Sequence, residues 1–126
     1  MKVLFIGGTG TISAAISRQL LEGGHEVYLL NRGNRNSILP AGGREIHCDI
    51  GREAEVAEKI KDLRFDVAAD FIAFTADQVE RDYRLLKGKT GQYIFISSAS
   101  AYQKLPSDYR ISEGTPLANP YWEYSR

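Results

Sequence analysis

The sequence predicts a doubly wound α/β domain, a mostly parallel sheet of about five strands with helices on both faces. Short apolar runs of strand length alternate with stretches whose apolar residues recur at helical spacing. The first such run ends in a glycine turn that leads straight into the first helical stretch. Parallel neighbours need crossover connections of this kind, and the crossovers cover both sheet faces. At 126 residues the chain can bury one hydrophobic core and not two of comparable size.

Residues 3–6 are a continuous apolar run without alternation, as expected of a strand covered on both sides. Ile12, Ala15, Ile16 and Leu20 then mark one stripe of a helix that should stop at Gly23 and Gly24. The second strand is residues 27–30. Residues 31–43 are rich in Gly, Asn, Arg, Ser and Pro, a loop composition, and Ile46 marks a short third strand. Val56, Ile60 and Leu63 give a second helix, and residues 67–74 a fourth strand. Thr75 and Gln78 have capping-box spacing, with Ala76, Val79, Tyr83 and Leu86 forming the apolar stripe of a third helix behind them. Residues 93–96 are the fifth strand, running into Ser97, Ser98 and Ser100. Residues 103–119 carry Pro106, Gly114 and Pro116 and no sustained period, so an irregular connection is expected, after which Asn119 and Pro120 read as a helix start.

Sixteen Lys and Arg balance sixteen Asp and Glu. No global field draws such a domain onto nucleic acid or an anionic membrane, and the expected partner is a small molecule. One cysteine, Cys48, cannot form an internal disulfide, and the leading apolar run is far too short for a membrane span or signal core. A cytoplasmic location is expected. His25 and the His47-Cys48-Asp49 run lack the further ligands that a metal needs, so no metal site is expected.

Gly7-Gly8-Thr9-Gly10-Thr11-Ile12-Ser13 lies between the first strand and the first helix, where a dinucleotide pyrophosphate would bind. Glycines let backbone N–H groups approach the phosphates, and Ser13 stands where a third glycine of the pattern would be, small enough for close helix-to-strand packing. At the end of the second strand an acidic residue would read the adenosine ribose of NAD. Asn31 and Arg32 stand there instead. An asparagine does not repel a 2′-phosphate, and Arg32, with Arg35, can pair with one, so NADP is favoured over NAD.

These residues resemble the extended short-chain dehydrogenase/reductases, the NAD-dependent epimerase/dehydratase group with a Rossmann-type sheet. Gly7, Gly10, Thr11 and Ile12 are similar to its cofactor loop. The resemblance further implies that Asp49 and Ile50 contact the adenine ring, although an aspartate before Arg52 is also an ordinary helix cap. It implies too that Phe71, Ile72 and Ala73 pass along the cofactor. The strongest match is Tyr93-Ile94-Phe95-Ile96-Ser97-Ser98-Ala99-Ser100-Ala101-Tyr102, then Glu113-Gly114-Thr115-Pro116 and Pro120-Tyr121-Trp122-Glu123-Tyr124-Ser125. By that match Ser98 is the catalytic hydroxyl, with Ser100 as second choice, and Tyr124 is the catalytic tyrosine. In the family a lysine four residues beyond the tyrosine stabilises its phenolate, since a free phenol of pKa about 10 is no base at neutral pH.

That lysine would fall at position 128. The expectation is therefore a truncated dinucleotide-binding domain over residues 1–126, lacking the substrate-binding region and inactive alone. It belongs to a reductase, epimerase or dehydratase acting on a hydroxyl or carbonyl of a substrate such as a nucleotide sugar. Self-association through the uncovered sheet edge goes with that reading. The competing reading is a non-catalytic dinucleotide-sensing or RNA-associated module of the same fold.

Overall fold

The computed structural model describes residues 1–33, 39–103 and 110–118, in two compact units, Met1–Ile96 and Ser97–Arg126. In the first unit the strands β1 (Lys2–Ile6), β2 (Glu26–Asn31), β3 (Arg44–His47), β4 (Phe65–Asp70) and β5 (Thr90–Phe95) form one parallel sheet in the order β3-β2-β1-β4-β5. Helices α1 (Thr11–Glu22), α2 (Glu53–Lys59) and α3 (Ala76–Leu86) make the crossovers. The chain winds outward from β1 to β3 and then returns to β4 on the other side of β1. Such a reversal opens a crevice beyond the carboxyl ends of β1 and β4.

Alternation along β1 explains its unbroken apolar run. Val3 and Phe5 join Val27, Leu29 and Ala69 beneath Ile16, Leu20 and Leu21 of α1. Leu4 and Ile6 face the opposite side, with Tyr28, Leu30 and Ala68 under Val56 of α2 and Leu86 of α3. Both sheet faces are thus covered by helices.

The helix stripes differ from expectation in their details. Ile12 is 65% exposed, whereas Ser13 and Ser17 are buried. The start of α1 lies against the glycine turn, and small hydroxyls fit there because the backbone satisfies them: Ser13 Oγ donates to the carbonyls of Gly7 and Gly10, and Ser17 Oγ to that of Ser13. Helix α2 ends at Lys59, so Ile60 is its C-cap and Leu63 packs from the turn beyond. The capping box of α3 is present, but its inner face is set by Asp82 and Leu86 while Ala76 and Tyr83 are exposed. A buried aspartate is invisible to an apolar period. Strand β4 stops at Asp70 and does not run on to Phe74, because the Asp70 carboxylate takes the N–H groups of Ile72 and Ala73 and turns the chain. Strand β5 begins at Thr90 and ends at Phe95.

In the second unit a 3-10 turn, Ala99–Ala101, follows Ser98. Gln103 N donates to the Pro116 carbonyl at 2.8 Å and Ser112 N to Thr115 Oγ1 at 3.0 Å, in an otherwise irregular stretch among the described residues. The helix expected to start at Asn119 and Pro120 lies outside the described residues. Among the described residues, no helix is long and apolar enough to cross a membrane.

Candidate functional site

A cleft of about 780 Å³ opens at the carboxyl ends of the strands in the first unit. Ten of the expected cofactor residues line it: Gly7, Gly10, Thr11, Ile12, Asn31, Arg32, Asp49, Ile50, Phe71 and Ile72. Ala73 does not; it is 5% exposed behind the cleft, its N–H held by Asp70. Gln78 and Arg81 of α3 join the lining from the far side.

The three glycines of the turn serve different ends. Gly7 has φ +80°, and a Cβ there would lie 2.3 Å from Ile72 Cγ2. A Cβ on Gly8 would lie 2.3 Å from Leu29 Cδ2. The fold itself requires both. Gly10 is extended, at φ −78° and ψ 170°, and a Cβ there would meet only Ser13 Oγ at 3.5 Å. Its missing side chain leaves room on the cleft side. Gly10 is also the N-cap of α1, no side chain caps that end, and the first turn holds no acidic residue. The first N–H groups of α1 are therefore available to an anion, and no carboxylate in that turn repels it.

At the end of β2, Asn31 Nδ2 donates to Glu45 Oε1 at 2.9 Å. A carboxylate only accepts, so this bond fixes the amide orientation and turns Oδ1 away from Glu45. That Oδ1 is buried and has no partner among the described residues. It suits a ligand hydroxyl. Glu45 corrects the expectation that this end of the site carries no carboxylate, since a neighbouring strand brings one to Asn31. Its alternation with Ile46 in β3 turns it to the face opposite Ile46, and only the pairing of β3 with β2 brings it to Asn31. Arg32 is exposed on the cleft wall, and Arg35 lies outside the described residues.

Asp49 Oδ1 accepts from Gly51 N at 2.9 Å and makes a local turn. The N-cap of α2 is Arg52, without a side-chain bond, so Asp49 is not that helix's cap. Beside it the Cys48 thiol is buried, and burial followed by the Glu55 carboxylate pushes its pKa up. It is held as a neutral thiol.

Sequence reasoning missed the cluster at the end of β4. Asp70 is fully buried; its Oδ1 accepts from Ile72 N and Ala73 N, both at 3.0 Å, and its Oδ2 accepts from Tyr93 Oη at 2.7 Å. Asp82, also fully buried, is bound by both Nε and Nη2 of Arg81, at 2.7 and 3.1 Å. Burial first, and then hydrogen bonding and charge from Asp70, hold Asp82 at a pKa of about 6 against the lowering pull of Arg81. Burial and the Asp70 carboxylate likewise push the Tyr93 phenol up.

Ser98 belongs to the second unit. Its Oγ accepts from Ser100 N at 3.2 Å and lies 2.7 Å from Ser100 Oγ, so the two serines considered for the catalytic hydroxyl are hydrogen-bonded to each other. Tyr124 lies outside the described residues.

The chain resembles known proteins. A UDP-glucose 4-epimerase of Lactobacillus helveticus is 28% identical over 98% of this chain and 43% of its own length. The chloroplast stem-loop binding protein of 41 kDa b from Arabidopsis thaliana is 31% identical over 82% of this chain and 30% of its own length. The chain thus spans less than half the length of these curated relatives. Among solved structures, a UDP-glucose 4-epimerase from Brucella ovis in complex with NAD superimposes with a TM-score of 0.78 at 21% identity, covering 98% of this chain and 44% of that one. That likeness shows the shared fold. The model of the NAD dependent epimerase/dehydratase family matches residues 3–126, and the chain belongs to that family.

Proposed function

We propose that this chain is the dinucleotide-binding part of an enzyme that works on a hydroxyl or carbonyl of a nucleotide sugar, and that it takes NADP(H) in preference to NAD(H). The observation that carries the reading is the uncapped start of α1 behind Gly10, open on a cleft that runs past Asn31 and Arg32 on one side and Phe71 and Ile72 on the other. The α1 amides would hold the pyrophosphate. Asn31 Oδ1 would accept from a hydroxyl of the adenosine ribose, which relieves its burial without a partner. Arg32 would pair with a 2′-phosphate, while Glu45, engaged by the Asn31 amide, tempers that preference. When bound, the cofactor supplies hydride transfer at its nicotinamide. By family resemblance Ser98 would hold the substrate oxygen and Tyr124 would move its proton. The match to the Lactobacillus helveticus epimerase supports a UDP-sugar as substrate.

Calorimetric titration with NAD⁺ and NADP⁺ is the test. NADP⁺ is expected to bind more tightly, and Arg32→Ala to cost about 1–3 kcal/mol against NADP⁺ and little against NAD⁺, the range for a hydrogen bond to a charged group. Equal affinities in the wild type would refute the preference, and no binding of either would refute the site. The Arabidopsis relative favours a second reading, an RNA-associated module. With no net charge on the chain, stem-loop RNA is expected to bind weakly and with a shallow salt dependence. Tight, steeply salt-dependent binding would favour that second reading.

A further inference from the structure

Asp70 stands where the fold's crevice is set. It ends β4, the strand beside β1, and the crevice opens between the ends of those two strands. The floor of the crevice there is a contact between two loops: Ile72, after β4, lies so close to Gly7, after β1, that a Cβ on Gly7 would overlap its Cγ2. Ile72 lies there because its own N–H, and that of Ala73, are bound by one carboxylate oxygen of Asp70. Tyr93 of β5 holds the other oxygen, so the carboxylate cannot swing.

This arrangement is expensive for a turn. Asp70 and Asp82 are both fully buried, and among the described residues the one guanidinium bonded to either is that of Arg81, which goes to Asp82. A serine or asparagine would cap the same two N–H groups without burying a charge. What a carboxylate held by Tyr93 adds is rigidity, a fixed height for Ile72 at the place where ligand and backbone meet.

We propose that Asp70, clamped by Tyr93, is a positioning residue for the dinucleotide, holding Ile72 against Gly7 so that the crevice floor fits the stretch of cofactor beyond the adenosine. The proposal rests on the dinucleotide reading above. It assigns Asp70 no contact with the cofactor; its effect passes through Ile72.

The experiment titrates the 126-residue chain and its variants with NAD⁺, NADP⁺ and AMP, the last carrying only the adenosine end. Asp70→Ala frees both N–H groups and is expected to weaken both dinucleotides at least about tenfold while AMP stays within about twofold. Asp70→Asn keeps an oxygen for the two N–H groups but loses the acceptor for Tyr93, and is expected to recover only part of that loss. Ile72→Ala alters a 41% exposed side chain, and so keeps the test open if Asp70→Ala fails to fold. It is expected to match the Asp70→Ala loss, and the double variant to lose no more than either single one, as for residues that act in series. Equal losses for AMP and the dinucleotides, no loss for Ile72→Ala, or additive losses in the double variant would overturn the positioning role. A wild type that binds AMP but neither dinucleotide would overturn the functional reading and the positioning role with it.

Discussion

Gly10→Val and Gly7→Ala separate what the glycine turn does for the ligand from what it does for the fold. At Gly10 the backbone is in the extended region that any residue adopts, and the added Cβ meets only Ser13 Oγ at 3.5 Å, an ordinary contact. The cost is the poorer N-cap, roughly 0.5–1 kcal/mol by the ranking of glycine over valine. Restricting the unfolded chain returns roughly 0.4–1 kcal/mol. The net is near zero, and the melting temperature should stay within about 4 °C of wild type. Dinucleotide affinity should nevertheless disappear, because the branched side chain fills the space where the pyrophosphate meets the α1 amides. Gly7→Ala should behave in the opposite way. A positive φ alone costs an alanine about 1–2 kcal/mol, and the overlap with Ile72 Cγ2 adds to it, so the chain should melt several degrees lower. Calorimetric titration and thermal melts on the two variants give the answer. Full affinity in Gly10→Val would mean that no phosphate approaches this backbone, and an undiminished melting temperature in Gly7→Ala would refute the packing of Ile72 on the turn.

Asp82 should make stability pH-dependent in an unusual direction. Its folded pKa of about 6 lies above the 3.8 of an ordinary aspartate, so its contribution is fully present below about pH 4 and is lost as pH rises to about 6. The groups around it are Asp70 from β4, Arg81 beside it on α3 and Tyr93 from β5, with Glu53 of α2 acting on Arg81. The difference in melting temperature between wild type and Asp82→Asn, followed from pH 4 to 7, should therefore move in favour of the variant, and a difference that stays flat would refute the assignment. Thr75→Ala removes one half of the α3 capping box and should cost about 1 kcal/mol in denaturant unfolding, without changing dinucleotide affinity. A loss of affinity there would mean that the α3 start is coupled to the cleft.

The parts of the fold legible in the sequence are those where one physical demand acts alone. The residue 3–6 run, short and ended by glycines, reads as a strand covered twice, and the structure puts Val3 and Phe5 on one core and Leu4 and Ile6 on the other. Thr75 and Gln78 read correctly because a capping box is a local device with fixed spacing. Helix faces were less legible where a polar residue takes an inward position. Ser13 and Ser17 replaced Ile12 on the inner side of α1, and Asp82 replaced Tyr83 on that of α3, because each finds a partner that a hydrophobicity pattern cannot see.

The same distinction runs through the site. The place of Gly7, Gly10, Asn31, Arg32, Asp49, Ile50, Phe71 and Ile72 on the cleft was readable because each sits at the end of a strand or a few residues past it, and strand ends in a doubly wound sheet face the ligand crevice. Glu45 and Asp70 were not, for they act through another residue. Glu45 matters only because β3 lies beside β2 and brings it to the Asn31 amide, 14 residues away in sequence. Asp70 matters only because β4 stands between β1 and β5, which puts it under the Tyr93 hydroxyl and puts Ile72 beside Gly7. Sequence position marks the groups that would touch the cofactor; strand order decides which others hold them in place. In this chain both holding groups are carboxylates, and the one beneath the crevice is wholly buried, its oxygens taken by the N–H groups of Ile72 and Ala73 and by the Tyr93 hydroxyl.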